Sequence, residues 1–323
     1  MIYIVYTFRK VYKHWEFIVL MRRKVVKKGS STFTISLPAR WVRNFGISAG
    51  DEIDVEEKGS ELVMRAEGIK TPAKREIDVS GLDNSLIRRS IISLYVKGVE
   101  EIKVSFSDKK AMDILQNLTL SLLGFAVIEQ GKDYCIIREV SREKQEEFDA
   151  LLKKLFFTLH SLGNDIIEKT EGKEISKIKE LKELEHYGMN RTAYLCMRIL
   201  NKYGYKEQDK ITLLYELVRF LENTGDEYWR ICEQLIDSNG KARKDTLQVF
   251  GGVNEIILEL YFGLFKPDKK RVNEIYIKTK KIRKEKLNEM IRKNVRDTLL
   301  LCSIGKVAEL ISYIIETEMV LLA

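Results

Sequence analysis

Two periodicities divide the chain. In the stretch from Met21 to Gly68, Phe33, Ile35 and Leu37 stand on one side and Thr32, Thr34 and Ser36 on the other, behind a Gly29-Ser30-Ser31 turn. That alternation has the period of a half-buried strand. Pro38 can open a helix with an apolar side of Trp41, Val42 and Phe45, and Gly46 can close it two turns later. Gly50-Asp51 then turns the chain into a strand at Glu52–Val55, and Lys58-Gly59 turns it back through Leu62–Met64. The predicted order is strand, strand, short helix, strand, strand.

After a linker at Ile69–Lys74 that contains Pro72, the pattern predicts a strand at Glu76–Val79 and a helix at Asp83–Lys97. The apolar face of that helix is Leu86, Ile87, Ile91, Leu94 and Tyr95, with Ser90 among them. A strand at Glu101–Phe106 and a helix at Asp108–Leu123 follow, the latter with Ala111, Leu115, Leu118 and Leu122 in line. Phe125–Gln130 and Tyr134–Arg138 form a hairpin around Gly131-Lys132, which makes βαβαββ, a small α/β domain. It contains no glycine-rich phosphate loop, and Arg88-Arg89 reads as a solvated helix face.

Beyond Ser141 only Pro267 interrupts long runs of helical period. Helices are predicted over 142–170, 175–203, 207–237, 241–265, 269–293 and 294–322, with breaks near Gly172, Gly204, Gly240 and Pro267. Such lengths argue for an antiparallel bundle with short loops. Leu221–Ile231 laid on Leu301–Ile311 brings Gly225 onto Gly305, the register that two tandem three-helix halves would produce. The expected fold class is α+β multidomain: a leader at 1–20, a β unit at 21–68, a small α/β connecting domain at 69–140 and a helical domain at 141–323.

With 45% hydrophobic and 32% charged residues, the 323-residue chain excludes both disorder and an integral membrane protein. Cys135, Cys196, Cys232 and Cys302 share no short spacing, so reduced thiols in a cytoplasm are expected. His14, His160 and His186 form no zinc-hydrolase motif, and no reaction is expected. In residues 1–20 the longest apolar run is about eight residues, far short of a membrane span, and the order of a signal peptide is missing. Met21, followed by a clean strand pattern, is the expected start of translation.

Charge changes the picture most. Residues 1–50 hold ten Lys and Arg against one acid, Glu16, so a net +9 stands there while the whole chain sums to +8. Between Arg22 and Gly50 no acid interrupts Arg22, Arg23, Lys24, Lys27, Lys28, Arg40 and Arg43; Asp51, Glu52, Asp54, Glu56 and Glu57 follow at once. A polarised end of this kind faces a polyanion. A unit of some 45 residues also buries too little to stand alone, so it is expected to pair with a copy of itself or lean on another domain.

KKGSSTFTISLPARWVRNFGISAGDEIDV resembles the SpoVT/AbrB swapped-hairpin DNA-binding domain, with its glycine turn, its strand ending in Leu-Pro, its short helix and its Gly-Ile-x-x-Gly-Asp. The resemblance covers about 45 residues. It implies a symmetric dimer that grips double-stranded DNA through Arg22, Arg23 and Lys24, then Lys27 and Lys28, then Arg40 and Arg43. Many relatives place an arginine in the turn; Ser30 and Ser31 here predict phosphate contact by hydroxyls in place of base reading.

Glu222 and Asp226 stand four apart on one helix face, a spacing shared by solvated surface pairs and by cation ligands. Leu217–Asp226 resembles the PhoU-family motif, whose E-x-x-x-D pair lies near metal, and Glu185 with Asn190-Arg191 resembles a second segment of that family. The resemblance implies a divalent or iron-type metal ion held by Glu222, Asp226 and Glu185 in the first half alone. Cys302 and Lys306 replace the acids in the second half, and a lysine opposes a cation.

Together the two resemblances point to the archaeal phosphate-uptake-regulator type, an AbrB-like domain fused to a PhoU-like bundle. The expectation is a cytoplasmic homodimeric regulator that holds operator DNA and senses or relays phosphate status, with no membrane insertion. The rival is an adaptor that docks on a phosphate-transporter ATPase, a sensor kinase or another regulatory protein, with the β unit serving only to dimerise. An antitoxin fits the β unit alone.

Overall fold

Gly29, at φ 79°, makes the first turn: it joins β1 (Val26–Lys28) to β2 (Thr32–Thr34) as an antiparallel hairpin. In the computed structural model of the protein, the described residues are 22–44, 46–58, 61–65, 73–141, 147–265, 268–293 and 296–321. The leader 1–20, Met21, Phe45 and the Ile69–Pro72 part of the linker lie outside them, as do residues 142–146 of the first predicted bundle helix. Helix α1 (Ala39–Asn44) starts as Val42 N–H bonds Pro38 O, and Gly46 at φ 61° ends it. Asp51 accepts from Ser48 N–H, and β3 (Asp54–Lys58) pairs antiparallel with β4 (Glu61–Arg65). The strand, strand, helix, strand, strand order therefore forms as the alternation predicts.

The chain divides after Thr71 into two units. In the second, β5 (Lys74–Asp78) runs parallel to β6 (Glu101–Ser105), which a helical crossover requires. That crossover is α2 (Asn84–Val96), N-capped by Asp83, which accepts from Ser85 N–H at 2.8 Å. Helix α3 (Lys110–Thr119), β7 (Phe125–Gln130) and β8 (Tyr134–Glu139) complete a four-stranded sheet of order β5-β6-β8-β7. Ile87, Ile91, Tyr95, Leu115 and Leu118 bury against Ile102, Val104, Cys135 and Ile137.

Two details depart from expectation. Leu86, placed on the apolar face, is exposed, because α2 turns Ile87, Ile91 and Tyr95 inward and Leu86 falls outside that stripe. Helix α3 ends at Thr119, short of the predicted Leu123, since the chain must reverse into β7. Gly124 makes that reversal at φ 79°, where an added Cβ would lie 2.5 Å from Ser141 O.

The remaining elements are α4 (Phe148–Glu171), α5 (Ile175–Tyr203), α6 (Ile211–Asp237), α7 (Lys244–Phe265), α8 (Lys269–Lys281), α9 (Leu287–Lys293) and α10 (Thr298–Leu321). Helices α4, α5 and α6 pack on one another, as do α7, α8 and α10, and the halves meet through α6 against α10 and α4 against α7. Gly225 of α6 faces Met189 of the preceding α5, and Gly305 of α10 faces Leu287 of α9, so the aligned glycines hold equivalent places. The predicted helix 269–293 is divided by a π-helical turn, Ile282–Lys286. Its i→i+5 bonding brings Ile282 and Leu287 towards the same side, and both pack on the core. The turn near Gly172 is made by Lys173, whose φ is 56°.

Across α4, α6 and α7 runs a closed polar network. Tyr228 donates to Asn254 Oδ1 at 2.8 Å, and Asn254 Nδ2 donates to His160 O and Asn164 Oδ1. Each buried polar atom named here has a partner, which specifies one arrangement of the three helices. Helices α7 and α10 are long and apolar enough to span a bilayer by length and composition, yet each buries more than half of its apolar window inside the bundle, as core helices do.

Candidate nucleic-acid interface and the Glu222 carboxylate

The basic residues stand on the hairpin and on α1. Arg22, Arg23 and Lys24 precede β1, Lys27 and Lys28 lie within it, and all five are exposed, as are Arg40 and Arg43. Among the described residues nothing forms a hydrogen bond or ion pair with Arg22, Lys24, Lys27, Lys28, Arg40 or Arg43; Arg23 does have a partner. Arg40 and Arg43 are three apart and share a face of α1, and Arg43 sits in its last turn, where the helix dipole favours a cation.

The register separates two residues that the sequence groups. Lys28 pairs with Thr32 and Lys27 with Phe33, so the two lysines point to opposite faces of the hairpin. Only one of them can share a face with Thr32 and Thr34. The apolar residues of the unit are not buried within it: Phe33 is 65% exposed and Leu62 59%, with Val26, Ile35 and Val55 also open.

Glu222 lies on α6 with its carboxyl almost wholly buried, and burial pushes its pKa up to about 6. Arg219 Nη1 donates to Glu222 Oε2 at 3.2 Å, and its charge opposes that rise. Asp226, one turn on, is exposed. Glu185 falls on α5 among residues 182–187, whose side chains lie outside those described. Among the described residues no group of three or more His, Cys, Asp or Glu is placed to hold a metal. Two carboxylates, one already bonded to a guanidinium, lack the convergent oxygens a divalent cation needs. The described donors therefore do not fit a metal ion, because Arg219 supplies the positive charge in its place. In the second half Cys302 is exposed and Lys306 pairs with Glu309 at 2.7 Å.

Sequence reading passes over the residues that join the sheet to the bundle. Arg198 of α5, fully buried, donates through Nη1 to Tyr95 O at 2.7 Å and Val99 O at 2.9 Å, and through Nη2 to Glu139 at 3.1 Å. Its guanidinium also lies against the Tyr95 and Phe125 rings. Asn201 donates to Val96 O, and Lys202 bridges Glu139 and Glu100. Gly98, at φ 92°, lets the turn after α2 approach Lys202 to where an added Cβ would meet its side chain at 3.3 Å. The one signal in the sequence is a basic residue three and four places before Asn201 and Lys202 in an apolar helix.

Residues 26–77 match the family model described as antidote-toxin recognition MazE, bacterial antitoxin. A search of curated proteins returns no match. Among solved structures, the phosphate transport system regulatory protein PhoU from Streptococcus pneumoniae is similar at 16% identity with a TM-score of 0.39, over 54% of this chain and 96% of that one. At that score the two backbones differ too much for anything to be transferred between them. The class is an α+β chain with a MazE/AbrB-like N-terminal unit, a small sheet domain and a helical region. Of the two resemblances drawn from the sequence, the N-terminal one meets a family model of its kind, the MazE model over residues 26–77.

Proposed function

We propose that the protein is a cytoplasmic transcriptional regulator that binds double-stranded DNA as a homodimer through its N-terminal unit. The observation that carries the reading is the set of exposed cations on the hairpin and α1, six of them without a partner among the described residues, with no acid among them until Asp51. Phosphate neutralisation with counterion release is the chemistry such a surface performs. The occupant of the exposed apolar side chains Phe33, Ile35, Val55 and Leu62 is a second copy of the same unit, which both buries those side chains and doubles the basic set. The regulated process is phosphate uptake, on the resemblance of Leu217–Asp226, with the helical domain as sensor or relay and a transporter ATPase or regulatory protein as its partner.

Fluorescence anisotropy of the full chain on its own upstream DNA, over a salt series, tests the reading. Binding should weaken steeply with salt. Arg40→Ala with Arg43→Ala should lower affinity roughly tenfold on any sequence and flatten the salt slope by about one per lost phosphate contact. An unchanged slope removes α1 from the interface. Phe33→Asp should convert the dimer to a monomer in sedimentation and abolish binding; a wild-type chain that sediments as a monomer overturns the two-fold reading. The matched family's description favours one second reading, an antitoxin, which co-purification of a small toxin together with no DNA binding would support.

A further inference from the structure

A cavity of about 620 Å³ lies where α2 of the sheet domain meets α5 and α6 of the bundle. We propose that it is an effector site for a small anion, a phosphate or carboxylate, carried on an aromatic or apolar body. The site stands apart from the DNA-binding reading and does not depend on it.

The floor is apolar, made by Ile92, Val96 and Met197. Two aromatic side chains, Tyr194 and Tyr215, line it from α5 and α6, and two cations flank it, Lys97 at the end of α2 and Arg219 on α6. A recess of this size with an apolar floor and convergent polar groups on its walls has the make-up of a small-molecule site. The cations are available: Lys97 and the Tyr215 hydroxyl have no partner among the described residues, and Arg219 gives one nitrogen to Glu222, leaving its remaining N–H groups to face a ligand. Arg89 adds a further positive charge near Glu222.

The C-terminal end of a helix ordinarily repels an anion. Here that end of α2 is already covered. Tyr95 O and Val99 O accept from Arg198, and Val96 O accepts from Asn201, so buried donors cancel the carbonyl charge beneath the cavity. The same bonds hold α2 and α5 together, so the two walls are in place before a ligand arrives. Glu222 and Asp226 are the acids that act on Tyr194, and Glu222 is already answered by Arg219 at 3.2 Å. What remains is a preformed recess with cations on two walls and rings between them, the pattern that recognises the acid group and the body of one molecule separately.

Isothermal titration calorimetry on the full chain, without DNA, tests this with AMP, inorganic phosphate and adenosine as probes. AMP should bind and adenosine should bind at least tenfold more weakly. Inorganic phosphate should compete with AMP. Lys97→Ala, a change at an exposed position, should weaken AMP at least tenfold without altering the melting temperature, and Arg219→Lys should do so while keeping a cation beside Glu222. No heat from AMP or phosphate at millimolar concentration overturns the proposal. Equal affinity for adenosine and AMP, or AMP affinity untouched by Lys97→Ala, overturns it equally. A chain that binds AMP but not DNA keeps this site and loses the regulator reading; the converse loses only this site.

Discussion

Arg198→Ala lowers the melting temperature of the second unit by roughly 10 °C, from a loss of about 3–5 kcal/mol spread over a body of this length. The guanidinium is wholly buried, and its removal takes the donor from Val99 O, one of two donors from Tyr95 O, which keeps the Gly98 N–H, and one partner from Glu139. A buried carbonyl left without a donor retains its full desolvation cost, and water cannot reach either site without opening the seam. Glu139 is held in part by Lys202, whose own pKa is raised: burial acts to lower it, and bonds to Glu139 and Glu100 outweigh that. So the loss concentrates on Val99 O, just beyond the end of α2, since Tyr95 O keeps the Gly98 N–H. Hydrogen exchange over residues 84–106 should accelerate while α7 and α10 keep their protection. Arg198→Lys should recover only part of the loss, since one ammonium cannot reach both carbonyls and Glu139 in the planar geometry of a guanidinium. Uniform exchange across the second unit, or a melting shift under 2 °C, would show that sheet and bundle are joined by apolar packing alone.

Glu318→Gln stabilises the protein at pH 8 by about 3 kcal/mol and leaves it nearly unchanged at pH 4.5. The Glu318 carboxyl on α10 is fully buried with no hydrogen-bond partner on either oxygen, and it presses on Gly263 so closely that a Cβ there would lie 2.1 Å from Oε1. Burial raises its pKa to about 7, against a weaker pull downward from Arg271. The sign follows from proton counting. A carboxyl raised in the folded state binds its proton more tightly there than in the unfolded chain, so stability is undiminished below the unfolded pKa of about 4.5 and falls as pH rises through about 7. The span between those values is worth about 3 kcal/mol. Glutamine has nearly the same shape and no charge, so it matches the protonated acid and lacks the penalty of the ionised one. Chemical denaturation of both chains at the two pH values reads the difference directly. An equal gain at pH 4.5 and pH 8 would mean that shape, not charge, sets the effect. Gly263→Ala should destabilise at both pH values, since the carboxyl has nowhere to retreat.

The elements of this fold are local, and the sequence carries them almost complete. The period-2 run through Thr32–Leu37, the 3.6-period stripes of α2 and α3 and the long helices after Ser141 depend on residues within a few places of one another. Charge polarity is local too: the basic block and the acids after Gly50 can be counted without coordinates. The interface read from it is exposed where described, apart from the split of Lys27 from Lys28, which depends on strand register. Glu222 and Asp226 show the limit. Their spacing places them on one helix face, but only packing reveals that the buried member bonds Arg219 and that no cation site forms among the described residues.

The order and kind of the elements and the sign of charge along the chain are set locally, because hydrophobic period, turn chemistry and residue charge act over a few positions. Which charged groups are buried, and what answers them, follows from packing between segments far apart in the chain. Arg198 finds its carbonyls about a hundred residues away, and Glu318 stands against Gly263 with the charge of Arg271 as its answer. A guanidinium or a carboxyl looks the same in a string of letters whether water or a carbonyl surrounds it; its free energy depends on that surrounding, and only the folded chain supplies it.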